Sequence, residues 1–214
     1  LFRSVNVDGL ATVLQDVVVN DNALPYVEKI ETVGNKLIKV TFSEPMFAGA
    51  TTISNYKISG LVKSGTAKFS NMNKTVDITL SAGLADGDYE LEVNAANVKD
   101  FAGNSLGINS TAFSIAKDAA VPGYTVLSAT QQTIKIKFDR EVNESGADMV
   151  MYWKDGSTEH KATGSKSATD PTEWTFTFSA AGRLPVGNNT LKIKKVIDFS
   201  GNVKLKSLIP NLSL

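Results

Sequence analysis

Hydrophobic and polar residues alternate along most of this chain, and no long segment has the spacing of a helix. In one such run Val76, Ile78 and Leu80 share one face, and Asp77 and Thr79 share the other. Side chains along a strand point to opposite faces in turn, so this pattern is typical of antiparallel strands with one buried and one solvated face. The chain is therefore predicted to be all-β.

About seven strands are predicted in each half of the chain, separated by turns rich in Gly, Asn and Asp. In the first half they are predicted near 26–32, 36–42, 52–59, 64–69, 74–80, 88–95 and 107–116. In the second half they are predicted near 123–130, 132–139, 148–154, 158–163, 173–179, 189–197 and 203–213. Seven short strands at this spacing favour an immunoglobulin-like sandwich.

The two halves carry the same motifs. Phe42 and Phe138 end equivalent runs 96 residues apart, and the turns 100–104 (DFAGN) and 198–202 (DFSGN) are 98 residues apart. A period near 100 residues is that of a whole domain rather than of a solenoid unit. We predict two tandem immunoglobulin-like antiparallel β-sandwiches at 23–117 and 118–214, with a linker or the end of a preceding domain at 1–22. Two pairs should occupy equivalent buried positions: Phe42 with Phe138, and Leu80 with Phe178.

A further repeat is predicted upstream. The alternation of Val17 and Val19, followed by Asp21, matches the alternation at 113–115 that precedes Asp118. A proline follows four residues after each of these two aspartates. Residues 1–22 therefore have the sequence pattern of a last strand and linker.

Composition limits the function classes. The 22 basic and 22 acidic residues leave no net charge, so no general attraction to nucleic acid or membrane is expected. The chain has no cysteine, which suits an exported bacterial protein that avoids mispaired disulfides. The sequence contains no run of 18 apolar residues, so no membrane-spanning helix is predicted. Proteins built from tandem copies of one small domain usually act as spacers, display surfaces or assembly units rather than as enzymes.

Few residues offer catalytic chemistry. The only histidine, His160, stands beside Glu159 in a polar stretch and is predicted to be a solvated surface residue. Met149 and Met151 are two apart on a predicted strand, which favours a core position over copper binding. No phosphate-binding glycine loop and no nucleophile elbow is present. We therefore predict that the protein is not an enzyme and requires no cofactor.

Two motifs of the first repeat resemble a known family. The segment 40–46 (VTFSEPM), together with the DFAGN turn, resembles a bacterial Ig-like domain family best known from tandem arrays in surface-layer (S-layer) proteins of Gram-positive bacilli. The second repeat keeps Phe138 and the DFSGN turn but has Arg140-Glu141-Val142 where Pro and Met would be expected, so it is a divergent copy. The resemblance implies an exported, wall-associated protein that assembles into a two-dimensional lattice, and it implies no catalytic residue.

The leading interpretation is a structural segment of a secreted surface-layer or wall-associated protein, acting as rigid spacer and lattice-contact module. Its expected partners are other copies of the same protein and neighbouring domains of a longer chain. Two alternatives stay open. One is an adhesin or carbohydrate-binding segment, for which Trp153 is the candidate aromatic platform. The other is a pair of accessory modules of a large secreted enzyme.

Lysines on two predicted strands of the second repeat suggest a basic outer surface. They are Lys135 and Lys137 on one strand and Lys192, Lys194 and Lys195 on another. This surface is either a solvated sheet face or a docking site for an anionic cell-wall polymer. Nucleic acid is disfavoured because no stacking aromatic residues lie between these lysines.

Five acids are predicted to meet where the two repeats join. In an immunoglobulin topology, the near end of a sandwich carries the chain entry and the connections after strands two, four and six. The far end carries the connections after strands one, three and five. This arrangement brings together Asp86, Asp88, Asp118, Glu141 and Asp198. They would repel unless a cation or a basic side chain intervened. Carboxylate oxygens suit Ca²⁺, and the other interpretation is that these acids only form turns.

Overall fold

The computed structural model describes residues 21–143 and 149–213. Within these ranges each repeat consists of two four-stranded antiparallel sheets, so the predicted all-β fold class is confirmed. No helix in the described ranges is long and apolar enough to cross a membrane.

The first repeat contains eight strands in the described structure. They are β1 (Val27–Val33), β2 (Leu37–Phe42), β3 (Tyr56–Ile58), β4 (Leu61–Val62), β5 (Gly65–Ser70), β6 (Thr75–Leu80), β7 (Gly87–Val93) and β8 (Ser110–Ile115). One sheet has the order β1-β2-β6-β5 and the other β4-β3-β7-β8. The strand predicted from residue 52 begins only at Tyr56, because the 3-10 turns Ala48–Thr51 and Ile53–Asn55 precede it.

The second repeat has the same arrangement. Its described strands are β9 (Tyr124–Ala129), β10 (Thr133–Phe138), β11 (Met151–Asp155), β12 (Thr158–Lys161), β13 (Thr163–Lys166), β14 (Glu173–Thr177), β15 (Asn188–Ile197) and β16 (Val203–Ser213). The sheets have the orders β13-β14-β10-β9 and β12-β11-β15-β16. The single strand predicted at 158–163 is two strands in different sheets, because the chain crosses between the sheets at the buried Ala162.

The two repeats bury equivalent aromatic and aliphatic residues in separate cores. Phe42 and Phe138 are 0% and 1% exposed, and Leu80 and Phe178 are 3% and 2% exposed, as predicted. Each such side chain stabilises the folded state by about 1.5–3 kcal/mol when it is fully buried. Met151 is also fully buried, and Met149 packs against the same core, as predicted.

Hydrogen bonds between loops define the two ends of each sandwich. At the far end of the first repeat, Leu84 N donates to Asn35 O at 2.9 Å, which joins the β1–β2 turn to the β6–β7 connection. At the near end, Gly107 N donates to Pro25 O at 2.9 Å, which joins the β7–β8 connection to the chain entry. The far end of the first repeat meets the near end of the second.

Candidate functional site: the interdomain joint

The linker between the repeats is bonded to both of them. Lys117 N donates to Asp86 Oδ1 of the first repeat at 2.8 Å. The next residue, Asp118, donates its N–H to Ser200 Oγ of the second repeat at 3.3 Å. Its carbonyl accepts a hydrogen bond from Asn202 Nδ2 at 2.7 Å. Two consecutive linker residues are thus held by opposite domains, which restricts the swing of one domain against the other.

The β1–β2 turn of the first repeat lies directly on the DFSGN turn of the second. Asn35 N donates to Phe199 O at 3.1 Å. Gly34 has φ +60°, and a Cβ built there would lie 2.4 Å from the carbonyl carbon of Phe199. Real Cβ atoms do not approach backbone so closely, so only glycine fits this contact and this backbone conformation. The domains therefore touch backbone to backbone.

Phe199 is buried by the neighbouring domain rather than by its own core. Its side chain is 5% exposed, yet it belongs to neither hydrophobic core cluster. Together with Leu37 of the first repeat it lines a cavity of about 370 Å³ between the two domains. The sequence pattern places Phe199 in a turn motif but does not reveal its burial, which depends on the neighbouring repeat.

An ion pair crosses the joint. Lys39 Nζ on β2 lies 2.5 Å from Glu141 Oε1 of the second repeat. The two side chains are only 18% and 10% exposed, so water screens this pair far less than it screens an ordinary surface pair. Removing either partner would leave the other charge poorly solvated. The pair therefore favours one orientation of the two domains.

Arg140 supplies positive charge among the acids of the second repeat's near end. Its guanidinium contacts Asp118, and its Nε donates to Asp139 Oδ1 at 3.0 Å. One of its Nη atoms lies 3.7 Å from a carboxylate oxygen of Asp198, a residue that is 2% exposed. The hydrogen bond to Asp139 raises the pKa of Arg140. A basic side chain thus stands where the predicted acids would otherwise repel.

The five predicted acids lie in different settings. Asp118 and Asp198 share Arg140, and Glu141 pairs with Lys39. Asp86 accepts the N–H of Lys117, and Asp88 is exposed on β7. In the described ranges, no three of the five bring carboxylate oxygens within 4.8 Å of one another. Calcium at this joint stays a prediction.

Three other acids do lie together, at the near end of the first repeat. Asp21, Glu44 and Asp100 each place a carboxylate oxygen within 4.8 Å of the other two. Burial first, and then the charges of Asp21 and Asp100, raise the pKa of Glu44. Oxygen ligands of this kind are the ones a hard cation prefers. This group was not predicted from the sequence, although Glu44 lies in the VTFSEPM segment and Asp100 in the DFAGN turn.

The DFAGN and DFSGN turns fasten the incoming chain to each sandwich. Asn104 Nδ2 donates to the carbonyl of Asp21 at 3.0 Å and to the carboxylate of Asp100 at 2.8 Å. Asn202 makes the same two bonds in the second repeat, at 2.7 and 2.9 Å. The glycines of the two turns have φ +91° and +83°, a backbone conformation that glycine adopts without steric cost. Each turn thus fixes where the linker enters its domain.

The basic surface predicted on the second repeat is divided. Lys135 and Lys137 lie on β10 and the other three lysines on β15, and these strands belong to different sheets. Lys135 lies 2.5 Å from Glu173, and Lys137 lies 2.7 Å from Asp170. The prediction of one continuous basic surface was wrong, because the sequence pattern did not say which strands share a sheet.

His160 is not the solvated residue that the sequence predicts. It is half-buried, and its ring stacks on Trp153 with centroids 4.3 Å apart, because β11 and β12 pair the two residues directly. Trp153 also packs against the second core and donates its indole N–H to Gly182 O at 2.9 Å. His160 therefore covers one face of the Trp153 ring, and a carbohydrate site at this residue stays a prediction.

Comparison with known proteins identifies relatives of this chain. Residues 21–115 match the bacterial Ig-like domain family. The surface-layer 125 kDa protein of Lysinibacillus sphaericus is 31% identical over 187 residues, which are 85% of this chain and 15% of that protein. The outer cell wall protein of Brevibacillus brevis is 25% identical over 197 residues, which are 91% of this chain and 19% of that protein.

A solved structure has a similar fold. The crystal structure of the S-layer protein rSbsC matches with a TM-score of 0.50 and 16% identity, over 89% of this chain and 26% of that one. This chain spans less than a fifth of the length of the two curated relatives. Residues 21–115, which make up the first repeat, belong to the bacterial Ig-like domain family, and the second repeat has the same two-sheet arrangement.

Proposed function

We propose that this chain is a structural segment of a bacterial surface layer outside the cell, in which the two Ig-like domains form a rigid spacer. The observation that carries the proposal is the backbone contact between Gly34 and Phe199. The names of the two curated relatives, a surface-layer protein and an outer cell wall protein, support it.

A rigid joint favours assembly because fixing the orientation of a domain in a lattice has an entropic cost. A chain of freely hinged domains would lose orientational freedom when it entered a regular lattice, and a preorganised chain loses less. The hydrogen bonds of the joint include the four made by the linker and the apposed turns, in addition to the Lys39–Glu141 ion pair. Each hydrogen bond contributes about 0.5–1.5 kcal/mol. Together they hold one interdomain orientation.

The contact surface for neighbouring copies is proposed to lie at the edge of the second repeat. β9 and β16 are edge strands of different sheets, and Lys204 of β16 lies 5.0 Å from the ring centroid of Tyr124 of β9. Leu127 and Leu205 on these strands are 46% and 66% exposed. Sheet edges with exposed apolar side chains favour association with another chain.

We propose no catalytic role for this segment. The relatives are S-layer and cell wall proteins with Ig-like domains. Binding of an anionic cell-wall polymer stays a proposal for the lysines of β15. A binding assay with purified wall polymer and a Lys192→Ala/Lys194→Ala variant tests it, since loss of binding in the variant supports it and absence of binding by the native chain contradicts it.

The spacer proposal is tested in the assembled layer. Gly34→Ala, introduced into the full protein, should disturb the lattice seen by electron microscopy, because its Cβ would push Phe199 away. Gly60→Ala is the matched control: Gly60 also has a positive φ, +79°, but nothing lies within 4 Å of its Cβ position. Unchanged lattice order in Gly34→Ala, or equal disorder in both variants, would contradict the proposal.

A further inference from the structure

The first repeat carries an exposed aromatic pair at its near end. Phe47 and Phe101 are 55% and 63% exposed, and their rings meet edge to face with centroids 5.4 Å apart. Phe47 N donates to Lys99 O at 2.8 Å, which holds the two aromatic loops together. Two adjacent exposed phenylalanines form an apolar patch of the kind that marks a contact surface.

The second repeat shows what covers the same turn. Phe101 and Phe199 are the second residues of the DFAGN and DFSGN turns, which have the same internal hydrogen bonds. Phe199 is 5% exposed because the Gly34–Asn35 turn of the preceding domain lies on it. The turn that docks in the described joint is therefore also present at the near end of the first repeat, where its Phe101 is exposed.

The chain enters both repeats along the same path. Asn104 holds the carbonyl of Asp21 as Asn202 holds the carbonyl of Asp118, at 3.0 and 2.7 Å. In the second repeat this path places the preceding domain over Phe199. Upstream of Asp21, the sequence at 17–19 has the alternation found at 113–115 in β8 of the first repeat. The chemistry of the missing partner is therefore that of another Ig-like repeat.

We propose that Phe47 and Phe101 form one half of a second interdomain joint, whose other half is the far end of a preceding Ig-like repeat in the same polypeptide. Its first turn would lie on Phe101 as the Gly34–Asn35 turn lies on Phe199. Phe47 stands where the second repeat has Asn143, so this joint is more apolar than the described one. The inference rests on the proposed role as one unit of an array.

The test is a labelling experiment on introduced cysteines, since this chain has none of its own. Phe101→Cys is compared in this 214-residue chain and in the natural polypeptide extended upstream by one repeat. Thiol reactivity depends on exposure, so the extension should slow maleimide labelling at least about tenfold. Val186→Cys is the control: Val186 is 77% exposed in the second repeat, away from the proposed joint, and its labelling rate should not change.

Equal labelling rates of Phe101→Cys in the two proteins would overturn the proposal. Slower maleimide labelling of Phe101→Cys in the 214-residue chain at higher protein concentration would also overturn it, because a second copy would then be the partner. The result is separable from the spacer proposal, since the Gly34 and Gly60 variants test the described joint alone. A rigid described joint with a freely labelled Phe101→Cys would leave the spacer role standing.

Discussion

Arg140 of the second repeat and Glu44 of the first occupy equivalent positions, two residues after Phe138 and Phe42. Arg140 lies between carboxylates and compensates their charge. Glu44 lies with two aspartates in a group of three acids. The same backbone arrangement therefore carries a compensated charge at the described joint and, at the near end of the first repeat, an acidic group with no ion pair to a basic residue in the described ranges.

Reversal of the charge at Arg140 should destabilise the second repeat. Arg140→Glu would put a carboxylate beside the buried Asp198, and hydrogen bonds to charged groups are worth about 1.5–3 kcal/mol each. We expect the free energy of unfolding in urea to fall by about that amount. Arg183 is exposed, so Arg183→Glu serves as control and should change it by less than about 0.5 kcal/mol. Equal effects of the two substitutions would contradict the role assigned to Arg140.

The raised pKa of Glu44 predicts a pH dependence of known sign. The folded protein holds the proton more tightly than the unfolded chain, so this contribution to stability is complete below the ordinary pKa of 4.5 and is lost as the pH rises through the raised value. Glu44→Gln mimics the protonated side chain. The unfolding free energies of the native protein and Glu44→Gln should therefore be equal below about pH 4.5. At pH values above the raised pKa of Glu44, the variant should be the more stable protein. Equal unfolding free energies of the two proteins at neutral pH would show that burial and the two neighbouring aspartates do not raise the pKa of Glu44 in the folded protein.

The Lys39–Glu141 pair should behave as a coupled unit. Lys39→Met leaves Glu141 poorly solvated and should lower the free energy of unfolding by about 1–3 kcal/mol. The double variant Lys39→Met/Glu141→Gln should recover part of that loss. The exposed pair Lys29–Glu31, with side chains 59% and 49% exposed, is the control and should cost about 0–1 kcal/mol when broken. Additive effects of the two joint substitutions would show that no coupling crosses the interface.

Calcium at the joint remains a prediction, and a substitution at Arg140 provides a test of it. Because a guanidinium already lies beside Asp118 and Asp198, an ion would have to displace it. The rise in Tm that calcium produces should therefore be larger in Arg140→Gln than in the native protein, and Asp118→Ala should abolish it. Identical melting curves in calcium and in chelator for all three proteins would show that these acids only form turns and ion pairs.

Residues whose environment depends on their own strand were predictable from the sequence. The two-residue period placed Phe42 and Phe138 in the cores, and both are buried. Glycine in the DFAGN and DFSGN turns has the positive φ that a tight connection needs. These properties follow from local backbone geometry, which the residue order determines directly.

Residues whose environment depends on a neighbouring strand or domain were not predictable in the same way. Phe101 and Phe199 stand at the same place in one motif, yet the first is 63% exposed and the second 5%. His160 looked solvated but is covered by Trp153 on the adjacent strand. Arg140 was visible only as a departure from the motif. Its charge reversal relative to Glu44, among acids, was the signal that could have identified it.

The central claim is that the two domains keep one orientation, and a distance distribution between them tests it most directly. Met72 and Val186 are 88% and 77% exposed, one in each repeat, so the pair Met72→Cys/Val186→Cys gives the chain its only two thiols for spin labels. Double electron–electron resonance should give one narrow distance distribution, which broadens when Gly34→Ala is added and does not when Gly60→Ala is added. A broad distribution in the absence of either alanine substitution would contradict the rigid joint.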